Sequence, residues 1–194
     1  MIVFSAILVL TVISVYTFFR KIDASRKPSL LAWFIIAVTA AISLGSYLAH
    51  AEFSDEGIVR GALFFANSGA SIAIFMRLLY LGGYNLRLST FDKVSGIAAC
   101  LIIPYWFVSA DSFGANLSTQ GLMVISYVLI TKRVIESRGK SDDSRFWVLA
   151  FLMSILSVVS IWDGEVLEGV NTIRSIFSTG IVLGTIYYYR VRYH

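Results

Sequence analysis

Asn67 and Ser71 stand in line with Arg60 and Phe64 at spacing i, i+4, i+7 and i+11, which places all four on one face of an α-helix. Thr39, Ser43, Ser46 and His50 form a second such line, and Asn171, Arg174, Ser178 and Thr185 a comparable third. All three lie in strongly apolar stretches. A side-chain amide there must find several hydrogen-bond partners, and a charge there is costly and commonly functional. This chemistry is recognition of a small polar solute, with Asn67, Ser71, Arg174 and Ser178 lining the site and Trp162 shaping its outer mouth. Nothing resembles bond-breaking machinery: there is no nucleophile and base pair, no phosphate-cradling glycine loop and no metal-ligand spacing. Neither an enzyme, nor a metal, nor a cofactor is expected. All twelve acids fall in loops or at segment ends, so passive movement of a solute is expected rather than an intramembrane proton relay.

The same residues admit a structural reading. Serine and threonine are common hydrogen-bond partners between membrane helices, and Gly180 and Gly184 would allow close packing. Arg174 follows Glu168 by six residues, roughly 9 Å along a helix, near enough to a segment end to reach outward. Trp33 and Trp147 are expected as anchors at a membrane interface. Asn116, Leu117 and Ser118 spell a glycosylation sequon that would face outside.

The elements that must position these residues follow from composition. Of 194 residues, 57% are hydrophobic and 14% charged, and the mean hydropathy is +0.77, whereas a soluble domain is about one quarter charged. The apolar residues gather into seven runs, roughly 2–19, 30–49, 58–80, 93–109, 117–132, 146–162 and 169–189, close to the length a helix needs to cross a bilayer. The expected class is therefore an all-α integral membrane protein of seven spans, in a plasma or inner membrane. The first run is too long for a signal peptide and reads as a retained helix. The single cysteine, Cys100, excludes an internal disulfide.

Charge sets the orientation. Arg20, Lys21, Arg26 and Lys27 follow the first run; Arg87 and Lys93 precede the fourth; Lys132, Arg133, Arg138, Lys140 and Arg145 follow the fifth; Arg190 and Arg192 close the chain. The alternate loops carry Glu52, Asp55, Glu56, Asp111, Asp163, Glu165 and Glu168. Basic short loops stay inside, so the N-terminus is expected outside and the C-terminus inside. The net charge of +4 then reflects topology, and nucleic-acid binding is not expected.

An internal repeat orders the runs. Adding 112 carries Val12-Ile13-Ser14 onto Val124-Ile125-Ser126 and Ser25-Arg26 onto Ser137-Arg138. With two extra residues in the second loop, Trp33 falls on Trp147, Ser43 on Ser157 and Ser46 on Ser160; the original shift then returns, placing Glu56-Gly57 on Glu168-Gly169 and Phe65 on Phe177. Duplication predicts two parallel three-helix repeats joined by a linker helix, a 3+1+3 plan. The units are 1–82 and 113–194, with the apolar linker at 83–112.

In this plan the chain resembles the PQ-loop superfamily and, within it, the SWEET and SemiSWEET sugar facilitators. The likeness is closest over SYVLITKRVIESRGKS, FWVLAFLMSILSVVSIWDG and the final IYYYRVRY, about 75 residues, and extends more weakly to the first 80 or so. The resemblance implies a facilitative carrier of a small polar metabolite, sugar- or vitamin-like, working by alternating access. The Pro-Gln pair of that family is replaced by Ser14-Val15 and Ser126-Tyr127. Ser14, Ser126 and Tyr127 are then the expected hinge positions, serine bending a helix mildly by bonding back to a carbonyl one turn earlier. The alternative is a membrane-embedded receptor or regulatory protein using the same fold without transport. Expected partners are the lipid bilayer and a small polar solute, and a homo-oligomer is left open.

Overall fold

In a hydrocarbon environment every backbone N–H and C=O must be satisfied within the protein, and long apolar runs meet that demand as helices. The computed structural model of the protein describes residues 2–22, 28–50, 54–82, 90–109, 111–161 and 166–193. These form α1 (Ile2–Lys21), α2 (Leu30–His50), a short α3 (Asp55–Arg60), α4 (Ala62–Leu81), α5 (Thr90–Ser109), α6 (Ser112–Glu136), α7 (Ser144–Leu156) and α8 (Val166–Tyr193). A 3-10 turn over Ser157–Ile161 extends α7. Four helices, α1, α2, α4 and α6, are each long and apolar enough to cross a membrane. The protein is an integral, multi-pass membrane protein.

The helices pack as a ring. Taken in the order α1, α4, α2, α6, α8 and α7, each packs on the next, and α7 closes onto α1. Read from α6 onward, the order of first, third and second helix seen in α1, α4, α2 recurs as α6, α8, α7, so the contacts are internally symmetric. α5 lies outside the ring against α2 and α6, with Val94, Ile97, Leu101, Tyr105 and Val108 exposed, as its apolar sequence predicts for a lipid-facing connector.

α1 shows how the sequence orients each helix. Ile7, Thr11, Ser14 and Phe18 are buried, while Val9, Val12, Ile13 and Tyr16 face outward. Thr11 and Ser14 turn their hydroxyls inward while Val9, Val12 and Ile13 present aliphatic surface outward, an arrangement suited to lipid. The run expected at 58–80 is broken at Gly61, which caps both α3 and α4. A Cβ there would meet the Tyr47 ring at 2.5 Å, so only glycine lets the helix pass. Tyr47 stacks on Phe64 with centroids 4.3 Å apart, and its hydroxyl lies 2.6 Å from Glu168 Oε1.

The opposite end is tied by the α6–α7 loop. Gly139, at φ +76, donates its N–H to Val134 O at 2.8 Å and closes α6. Asp143 caps α7, and its Oδ1 accepts from Lys21 Nζ of α1 at 2.9 Å. Asp142 beside it is buried. Burial pushes its carboxyl up to about 6; the Ser141 hydroxyl, the Trp147 indole and Arg133 partly offset this, and Asp143 adds to it.

Candidate functional site

At the centre of the ring a cavity of about 40 Å³ is walled by all six helices. α1 contributes Ser14, α4 contributes Asn67 and Ser71, α6 contributes Tyr127, and α8 contributes Arg174, Ser175 and Thr179. Positions related by the sequence shift meet here: Trp33 and Trp147, Ile36 and Ala150, Leu63 and Ser175, and Asn67 and Thr179 all line it.

Trp33 and Trp147 correct an expectation. They are 3% and 1% exposed, not interfacial anchors, because the ends of α2 and α7 that carry them turn into the ring. Their ring centroids stand 6.2 Å apart, and Phe18 and Phe146 pack edge-on against them. This cluster of aromatic rings walls the cavity toward the end carrying Lys21 and Asp143.

Arg174 is 7% exposed and does not reach outward. Its Nε donates to Gln120 Oε1 at 2.7 Å and its Nη2 to Asn171 Oδ1 at 2.7 Å. Tyr127 presents its ring to the guanidinium at 5.8 Å. Nη1 is buried with no hydrogen-bond partner, and so is the Nδ2 of Asn67. The Ser14 hydroxyl donates to Thr11 O at 2.8 Å, and that of Ser71 to Asn67 O at 2.6 Å.

Gln120 belongs to a second polar layer that the sequence reading passed over. Its Nε2 donates to Ser43 Oγ at 2.8 Å, and Asn116 Nδ2 donates to Ser43 O at 2.9 Å and to Ser46 Oγ at 3.2 Å. This network joins α2 to α6 and continues through Gln120 to Arg174 on α8. Asn116 is fully buried, so its sequon is not available for glycosylation in the folded protein. The α2 stripe of Ser43 and Ser46 thus serves Asn116 and Gln120 rather than the cavity.

The remaining expected positions divide. Ser178 lies in an open groove of about 330 Å³ between α6 and α8, lined by Val124, Phe177 and Ile181 and also by Arg174, which thus stands between the groove and the central cavity. Ser126 is fully buried and donates to Leu122 O one turn earlier at 3.0 Å, the back-bonding expected of a serine in a helix. Arg60 pairs with Glu56. Trp162 lies outside the described residues.

The arrangement offers unused N–H donors on Asn67, Arg174, Trp33 and Trp147, one of them on a cation, within an aromatic enclosure. What stands is an all-α, multi-helix membrane architecture with symmetric internal contacts. No protein-family model, curated protein or solved structure matches the chain.

Proposed function

We propose that this protein is a facilitative carrier for a small polar solute, with seven spans arranged as two parallel three-helix units, 1–82 and 113–194, around the linker helix of 83–112. The N-terminus is outside, and no chemistry is performed on the solute. The resemblance to PQ-loop carriers belongs to this reading. The observation that carries it is the central cavity, where Asn67, Ser71 and Arg174 converge with Ser14 and Tyr127 at the middle of a ring that repeats itself.

Contacts between the two units support alternating access. Toward the basic end, Lys21 of one unit grips Asp143 of the other, over the paired indoles. Toward the acidic end, Asn116 of the second unit holds Ser43 and Ser46 of the first. On this reading, the two sets of contacts made together correspond to an occluded form. Rocking the units would break one set while the other holds. The cavity as closed has room for about three waters at 40 Å³, so any larger solute requires an opened form.

Uptake into proteoliposomes across a panel of sugars, vitamins, amino acids and short organic acids tests the proposal. Saturable flux is expected, reduced at least about tenfold by Asn67→Leu or Arg174→Leu in variants that still purify as folded protein. Absence of flux across the panel, with a stable co-purifying protein, would replace the carrier by the receptor reading.

A further inference from the structure

Arg174 places a fixed positive charge deep among helices with no carboxylate to answer it. Among the described residues no aspartate or glutamate lines the cavity, and the partners of the guanidinium are the neutral amides of Gln120 and Asn171. Amide dipoles orient a charge without cancelling it, and a charge withdrawn from water is strongly disfavoured unless a counter-charge joins it. Glu168, six residues earlier on α8, lies roughly 9 Å away along the axis; its carboxylate is engaged by Tyr47.

The unused polar groups have one sign of demand. Among the residues lining the cavity, the buried polar atoms without a partner are Arg174 Nη1, Asn67 Nδ2 and the indole nitrogens of Trp33 and Trp147, and every one is a donor that requires an acceptor. The hydroxyls of Ser14 and Ser71 have already given their hydrogens to backbone carbonyls and offer no competing donor. A neutral sugar brings donors and acceptors alike, and it would leave the charge of Arg174 unanswered. A carboxylate brings acceptors alone and supplies the missing charge.

We infer that the central cavity is an anion site, and that the solute class is a small organic carboxylate held by Arg174 Nη1 and Asn67 Nδ2 against the ring of Tyr127. The inference rests on the cavity being the carrier's solute site. Size supports it, since about 40 Å³ is room for about three waters and so for a carboxylate of three or four heavy atoms. Trp33, Trp147 and Phe146 would face its alkyl end.

Thermal unfolding of the purified full-length protein, titrated at fixed ionic strength with sodium acetate and separately with acetamide, reads binding without requiring transport. Acetate should raise the Tm saturably, by about 5 °C at a hundredfold excess over Kd, and acetamide, of the same shape without the charge, should not. Arg174→Gln should abolish the response, Arg174→Lys should retain part of it, and Asn67→Leu should weaken it about tenfold. If the arginine variants do not fold, the contrast between acetate and acetamide in the unaltered protein still decides. An equal response to the two ligands, no response to either, or a full response in Arg174→Gln overturns the inference. Flux of a neutral solute without acetate binding would sink the anion site and leave the carrier standing; acetate binding without any flux would do the reverse.

Discussion

The three nitrogens of one guanidinium divide the labour at Arg174: Nε and Nη2 fix its position through Gln120 and Asn171, and Nη1 is left without a partner. Gln120 therefore supports the arginine from outside the cavity. Gln120→Leu should leave Nε–H unbonded in a buried setting and destabilise the protein by about 1.5–3 kcal/mol, measured as a lowered Tm without ligand. Arg174, Asn67 and Ser71 were legible in the sequence because polar types stand out against an apolar background. Asn116 and Gln120 were equally legible in principle, since with Met123 and Tyr127 they stand at i, i+4, i+7 and i+11. They were passed over because the sequon drew Asn116 to the outside. Ser178 illustrates the limit of spacing: one residue along a helix is a rotation of about 100°, which separates Ser178 in the groove from Thr179 in the cavity.

Helix lengths and apolar periods carried the elements, because the bilayer imposes both. The break at Gly61 was not legible, since it depends on how closely the Tyr47 ring approaches, a property of packing rather than of local preference. The loop between α6 and α7 makes its own prediction. Asp142 is raised from 3.8 to about 6 by burial, so the folded state holds its proton where the unfolded chain has released it. Its contribution to stability is full below about pH 4 and is lost as pH rises through 6. Thermal unfolding should show a loss of about 1–3 kcal/mol over that window. Asp142→Asn should flatten this part of the profile and raise stability near neutral pH; an unchanged profile would show that the carboxylate is not the group responsible.

Across the whole molecule, charge in the loops and symmetry in the ring describe one object from two directions. The orientation can be read directly in a Cys100→Ser background by placing single cysteines at two exposed positions, Asp55→Cys and Lys140→Cys. A membrane-impermeant thiol reagent should label the first in intact cells and the second only after permeabilisation; the reverse pattern would invert the topology. The sequence shift also has a point where the two halves differ. The shift of 112 that carries Asn67 onto Thr179 carries Ala62 onto Arg174, and Ala62 does not line the cavity. A solute held by the charge of Arg174 and by the amide of Asn67 would consequently sit off the axis, nearer the C-terminal half, with the N-terminal half supplying the weaker grip.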